Sequence, residues 1–181
     1  MNLKDECQTP GYAIEPLMKA NLLPQYTRDS INIWEPAAGE GILVRSIRMI
    51  GYKCFGTDLK TGEDFLTIPP PTHFDAIITN PPFSIKIDFV KRCIETGNPW
   101  ALLMESNTIS LKSFHKLIIP LAPEIGIIWF SPRVNFKMPN KKWAGTSHFP
   151  VAWFCWNFGF TGNMYLIMEH WSKEYRKTFE I

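Results

Sequence analysis

The 181-residue chain has no apolar run approaching the roughly 18 residues that a membrane-spanning helix needs. Its first ten residues, MNLKDECQTP, hold no apolar stretch of the secretory kind. A cytoplasmic protein with no membrane partner is expected. Cysteine is sparse. Cys7, Cys54, Cys93 and Cys155 are scattered and make no C-x-x-C pair, which argues against a zinc site, and no metal is expected. They read as reduced thiols, some buried as small hydrophobes. The net charge of +2 is too small to imply a polyanionic partner by itself. Internal repeats and low-complexity segments are absent. So are the Gly-Lys-Ser/Thr of a P-loop and the G-x-G-x-x-G of dinucleotide-binding turns, since position 44 is Val44.

What the chain does have is aromatic residues, thirteen Phe, seven Trp and five Tyr, and enough length for one domain over residues 1–181 with a substantial core. Short apolar runs alternate with helical patterns. Ile31–Trp34, Tyr52–Thr57, Phe74–Thr79, Trp100–Met104, Ile125–Phe130 and Val151–Phe158 read as strands. Ile42–Ile50, Ile85–Thr96 and Leu111–Ile119 read as helices, the first two stopped by Gly51 and Gly97 and the third by Pro120. Pro69-Pro70-Pro71 reads as a stiff surface loop. Met164–Met168 adds a further strand, with a helix after it. The alternation predicts an α/β fold with a mostly parallel central sheet flanked by helices on both faces. Such sheets bind ligands beyond the carboxyl ends of their strands. Glu35, Asp58, Asn80 and Glu105 fall at those ends, a pattern that core packing does not require. Trp153, Phe154, Trp156 and Phe158 read as core.

Glu35-Pro36-Ala37-Ala38-Gly39-Glu40-Gly41 lies between a strand and a helix. Its glycines allow a tight turn and close backbone approach to a ligand. The helix N-terminus that follows is suited to a carboxylate or phosphate. Asp58 ends the next strand, where a carboxylate can accept hydrogen bonds from both ribose hydroxyls. Asp64 can accept from an adenine amino group while Phe65 packs on the ring; alternatively, Asp64 caps a turn.

The ordered set E-P-A-A-G-E-G, G-T-D-L, G-E-D-F-L and T-N-P-P-F resembles the motifs of class I, Rossmann-like methyltransferases. It is most similar to their adenine-N6 branch, in particular compact phage-type DNA adenine methyltransferases, over about residues 7–158. The resemblance implies S-adenosylmethionine as cofactor. It assigns Glu35, Pro36, Ala37, Gly39 and Gly41 to cofactor contacts, Asp58 and Leu59 to the ribose side, and Asp64 and Phe65 to the cofactor adenine. Thr9-Pro10, in CQTPGY, matches a Thr-Pro that often reaches the methionine carboxylate in this family.

Asn80, Pro81, Pro82 and Phe83 are then the catalytic segment, with Asn80 also bordering the cofactor. An adenine N6 amine is a poor nucleophile because its lone pair is delocalised into the ring. Accepting hydrogen bonds from both its N–H groups returns electron density to nitrogen. Asn80 can offer its side-chain oxygen and Pro81 its carbonyl, while proline has no competing N–H and stiffens the loop. Phe83 can stack on the target base. Direct displacement needs positioning and electrostatics, not a covalent intermediate, in keeping with the absence of the Pro-Cys dipeptide of cytosine-C5 enzymes. A base within a duplex would have to be flipped out.

Residues 125–168 contain no Asp or Glu. Within them the basic, aromatic stretch at about 131–148 reads as a loop or hairpin between strands. Arg133, Lys137, Lys141, Lys142 and Trp143, with Ser84 beside the catalytic segment, are the expected substrate contacts, through phosphates and base stacking. Nucleic acid is the expected partner, DNA ahead of RNA. A separate target-recognition domain is not expected within these 181 residues. The oligomeric state, monomer or dimer, is open. The alternatives are an RNA adenine methyltransferase, a protein-glutamine methyltransferase that uses an Asn-Pro-Pro motif, and a catalytically silent nucleic-acid-binding subunit. Glutamine enzymes usually carry Tyr after the second proline, where this chain has Phe83. A silent subunit has no chemical need for an intact Asn80–Phe83.

Overall fold

The computed structural model describes residues 3–19, 23, 27, 29–131, 133–137 and 149–167. The described residues contain four α-helices: α1 (Glu15–Lys19), α2 (Ile42–Met49), α3 (Lys86–Thr96) and α4 (Lys112–Ile118). Their strands are β1 (Asn32–Glu35), β2 (Lys53–Gly56), β3 (Ala76–Thr79), β4 (Trp100–Glu105), β5 (Ile125–Ser131), β6 (Val151–Trp156) and β7 (Gly162–Ile167). These form one seven-stranded sheet in the order β2-β1-β3-β4-β6-β5-β7. β1 is parallel to β2 and β3, β3 to β4, and β5 to β7. β6 runs antiparallel to both β4 and β5. The mostly parallel sheet expected from the sequence is present, with one reversed strand inserted between β4 and β5.

Two reversals restore direction, so β5 points the same way as β4. The segment that leaves β5 therefore starts from the end of the sheet where β1 to β4 present their carboxyl termini. The basic stretch thus leaves the sheet at the same end as Glu35 and Asn80, with β4 and β6 lying between β5 and β3.

Side chains alternate across a strand, so each strand feeds two cores. Ile33, Ile78, Ala101, Leu103 and Trp153 enter one, closed by Leu43, Val44 and Ile47 of α2 and by Tyr12 and Ile14. Trp34, Ile77, Trp100, Leu102 and Phe154 enter the other, closed by Phe89 and Val90 of α3 and Phe114 of α4. Burial on both faces is what helices on both faces of a parallel sheet produce.

Most element boundaries match expectation within a residue or two. Gly51 and Gly97 follow their helices with φ of 95° and 70°, the left-handed stop that glycine adopts freely. Three differences have physical causes. α3 begins at Lys86 because Phe83–Ile85 takes a 3₁₀ turn first. Pro120 does not halt the helical course, since Ile119–Glu124 continues as a 3₁₀ helix with proline in its first turn, where no N–H is needed. Trp156 is only partly buried and its indole N–H donates to Glu124 Oε2 at 3.2 Å, whereas Trp153, Phe154 and Phe158 are core. All four cysteines are free and buried. The 3₁₀ helices Leu3–Glu6 and Gly11–Ile14, which lead into α1, carried no periodic signal. The helix expected after β7 lies outside the described residues.

Candidate active site

β1 ends at Glu35 and the chain turns through residues 36–41 into α2. Every backbone N–H from Ala37 to Gly41 is bonded within the protein. Ala37 donates to Glu35 Oε1 at 3.0 Å, Gly39 to Asp58 Oδ2 at 2.7 Å and Glu40 to Gln8 Oε1 at 2.9 Å. Ala38 donates to the Thr57 carbonyl at 3.0 Å and Gly41 to that of Ala38 at 2.7 Å. The N–H groups left for the anion expected at the helix N-terminus are those of the first turn of α2. Two glycines make the packing possible. Gly39 has φ +53°, and a Cβ there would meet Gln8 Oε1 at 2.5 Å. A Cβ on Gly56 would stand 2.6 Å from Ala38 Cβ and 2.9 Å from Val44 Cγ2, so the turn can lie on β2 only above a glycine.

Glu35 is 1% exposed. Its Oε1 accepts from Ala37 N–H and from the Thr79 hydroxyl, while Oε2 has no hydrogen-bond partner. Burial pushes its pKa up to about 8, the two hydrogen bonds opposing and Asp58 adding to the rise. Asp58 follows β2. Its Oδ2 holds Gly39 and its Oδ1 accepts from Lys60 N–H at 2.9 Å, which leaves each oxygen a second lone pair. Asp64 Oδ1 accepts from Leu66 N–H at 3.0 Å, so the turn-forming role is present and the other oxygen remains an acceptor. Phe65 is buried, edge-on to Trp34 at 5.2 Å and tilted on Phe89 at 4.7 Å. Leu59, by contrast, is 64% exposed.

β3 ends at the buried Thr79, and Asn80 follows with a buried Oδ1 that has no partner. Pro82 caps the 3₁₀ turn Phe83–Ile85. Phe83 is 6% exposed, its ring edge-on to Phe149 at 5.3 Å and to Phe136 at 6.3 Å. The phenyl ring expected to lie open for a base is thus packed among aromatics that flank the basic stretch. Ser84 is exposed, and its N–H donates to Asp5 Oδ1 at 3.0 Å.

A cleft of about 220 Å³ joins these groups at the carboxyl ends of β1, β2 and β3. Thr9, Glu35 to Ala37, Gly39, Asp58 and Leu59 line it on one side, and Asp64, Phe65, Asn80 and Ser84 also reach it. Pro10, Gly41, Pro81 and Phe83 do not border this cleft. Asp5, Glu6, Cys7 and Gln8 do, and sequence reasoning missed them. Their proximity to Thr9 was the only available signal. The ionisable carboxyl and amino side chains on the wall are five carboxyls (Asp5, Glu6, Glu35, Asp58, Asp64) and one lysine, Lys60. Such a wall favours a ligand that is cationic and brings N–H and O–H donors, and opposes a di- or triphosphate.

Of the expected polymer contacts, Arg133 is exposed. Lys137 Nζ pairs with Glu40 Oε2 at 2.7 Å, and its backbone exchanges hydrogen bonds with Gln8 at 2.9 and 3.0 Å. Lys141, Lys142 and Trp143 lie outside the described residues. Among the described residues no group of His, Cys, Asp and Glu is arranged to hold a metal, and no helix is long and apolar enough to cross a membrane.

Neither protein-family models nor curated protein sequences match the chain. Solved structures do. A putative class I S-adenosylmethionine-dependent methyltransferase from Listeria monocytogenes is 13% identical with a TM-score of 0.63, over 90% of this chain and 66% of that one. The methyltransferase subunit of a type I restriction-modification system from Streptococcus thermophilus is 13% identical with a TM-score of 0.62, over 97% of this chain and 53% of that one. The 23S rRNA methyltransferase ErmE is 14% identical with a TM-score of 0.52, over 93% and 75%. The chain therefore spans about two thirds and one half of the first two. At these identities the likeness establishes the fold, which is the Rossmann-like fold of class I methyltransferases.

Proposed function

We propose that the chain is an S-adenosylmethionine-dependent methyltransferase that places a methyl group on the exocyclic N6 of adenine in DNA, in the cytoplasm. The observation that carries this is a pair of buried acceptors without donors, Glu35 Oε2 and Asn80 Oδ1, on the wall of one carboxylate-rich cleft. Buried polar atoms are nearly always partnered, so two orphans at one cleft point to a ligand that brings N–H groups. S-adenosylmethionine supplies an electrophilic methyl group on a cationic sulfur. Glu35, its buried carboxyl ionising as the cation binds, takes the ligand's ammonium, Asp58 its ribose hydroxyls, and Asp64 with Phe65 its adenine. Thr9 stands at the same cleft. Gly41 acts on the cofactor through the turn it ends, and Pro10 through the start of the 3₁₀ helix Gly11–Ile14.

Asn80 Oδ1 accepts from the acceptor amine, and the Pro81 carbonyl offers a second acceptor. Both favour a nitrogen that has begun to pyramidalise, so their contribution grows toward the transition state. Phe83 walls the base site jointly with Phe149 and Phe136. The polymer meets Arg133, Lys141, Lys142 and Trp143, with the ammonium of Lys137 shared with Glu40. A nucleic-acid acceptor is supported by the basic stretch, which leaves the sheet at the same end as Asn80, and by likeness to a restriction-modification subunit and an rRNA methyltransferase. Phe83 in place of Tyr favours adenine over protein glutamine.

The test is incubation with methyl-labelled S-adenosylmethionine and DNA, RNA and protein acceptors, followed by digestion to nucleosides or amino acids. Label in N6-methyldeoxyadenosine is expected. Label confined to ribonucleosides replaces the polymer, and label in glutamine replaces the reaction.

A further inference from the structure

We propose that Asp5, Lys86 and Glu105 are positioning residues that fix the peptide group between Phe83 and Ser84, and through it the approach of Asn80 to the acceptor amine. This rests on Asn80–Phe83 being the catalytic segment.

That segment has little hydrogen bonding of its own, because two of its four residues are prolines and bring no N–H. Upstream it is anchored by β3, where Thr79 pairs with Leu102 of β4 and its hydroxyl binds Glu35. Downstream the anchor is the 83–84 peptide, held at both ends by side chains from elsewhere. Ser84 N–H lies in the first turn of a 3₁₀ helix, where no helical acceptor exists, and Pro82 at the cap provides no side-chain acceptor. Asp5 Oδ1 accepts that N–H at 3.0 Å from 79 residues away, as a cap supplied by another part of the chain. At the other end the Phe83 carbonyl accepts from Lys86 Nζ at 3.2 Å. The same Nζ lies 3.0 Å from Glu105 Oε2 at the end of β4. Both side chains of this pair are only 14% exposed, so solvent screens it less than a surface pair.

Glu105 was singled out as a polar strand end, and the chemistry at Asn80 leaves it unused. Its pairing with Lys86 gives it a place: β4 holds Lys86, Lys86 holds the Phe83 carbonyl, and the N-terminal segment holds the adjoining N–H. The two prolines then span a short gap between fixed ends. Charge-assisted hydrogen bonds at both ends of one peptide group define its plane better than either could alone.

The experiment pairs amide exchange at Ser84, read by NMR, with steady-state kinetics on the intact chain. Asp5→Ala should speed Ser84 exchange roughly tenfold or more. It should lower kcat roughly 10- to 100-fold, a larger factor than any rise in KM for S-adenosylmethionine from the loss of a carboxylate that also lines the cleft. Asp5→Asn keeps an acceptor oxygen and should recover both. Lys86→Met and Glu105→Gln should lower kcat in the same way, and Lys86→Arg should recover it. Unchanged Ser84 exchange in Asp5→Ala overturns the proposal. So does a kcat loss that tracks melting temperature and is not recovered by Asp5→Asn. Faster Ser84 exchange in a chain whose wild type transfers no methyl group overturns the functional premise while leaving the hydrogen bond demonstrated.

Discussion

Two walls of the cleft are built by hydrogen bonds of different reach. On the wall formed after β1 and β2, Glu35 accepts from Ala37, Asp58 from Lys60 and Asp64 from Leu66, each across two residues of chain. At the wall beyond Asn80, the Ser84 N–H is bound to Asp5, 79 positions away. The first wall combines these local turns with longer bonds, from Gly39 to Asp58 across 19 residues, Glu40 to Gln8 across 32 and the Thr79 hydroxyl to Glu35 across 44. The second takes its cap from the N-terminal segment, which must dock before that wall is complete. Both walls thus draw on the N-terminal segment, through Gln8 and Asp5, and the first has local turns in addition.

The largest effect should come from the long-range wall. Asn80→Ala removes the donor-less oxygen there and should slow single-turnover methyl transfer roughly 100- to 1,000-fold. If it weakens only cofactor affinity, Asn80 belongs to the other wall. Gly56→Ala attacks the local wall through packing. The added methyl has rigid neighbours, and overpacking of this kind costs about 1–3 kcal/mol. A thermal melt should show the midpoint lowered by several degrees.

Glu35→Gln tests the buried carboxyl by pH. Its pKa rises from 4.5 when unperturbed to about 8 in the folded chain. Between those values the folded chain binds more protons than the unfolded chain, so stability falls as pH rises through that window. Glu35→Gln should flatten that slope, and should weaken S-adenosylmethionine binding roughly tenfold at pH 8 by removing the charge opposite the ammonium. The smallest effect is expected at the Lys137–Glu40 pair, which ties the segment after β5 to the glycine-rich turn. With side-chain exposures of 21% and 51% it is a largely solvated bridge, and Lys137→Met should cost less than about 1 kcal/mol in a denaturant titration. A larger loss would show that the two walls are energetically joined.

The same difference in reach explains what was legible in the sequence. Strands with β-branched and aromatic runs, helices closed by Gly51 and Gly97, and the acidic strand ends were readable because each is a local pattern. Glu35, Asp58, Asp64 and Asn80 come together in one cleft for that reason. Asp5 and Gln8 could not be found, since nothing near them in sequence signals Ser84 or Glu40 as a partner. The burial of Phe83 was equally hidden, because Phe136 and Phe149 reach it only through the antiparallel pairing of β5 with β6. Lys137 looked like a free phosphate ligand by composition, and only the fold brings Glu40 to it. The hydrogen bonding of the glycine-rich turn was likewise hidden, since its N–H groups reach acceptors as distant as Gln8.

The most direct test of the central claim is a calorimetric titration of the chain with S-adenosylmethionine at pH 8, with NADH and ATP run alongside. Saturable one-to-one binding of S-adenosylmethionine, weakened by Glu35→Gln and without comparable binding of either phosphate ligand, is predicted. Binding of NADH or ATP with no uptake of S-adenosylmethionine would contradict the assignment of the cleft.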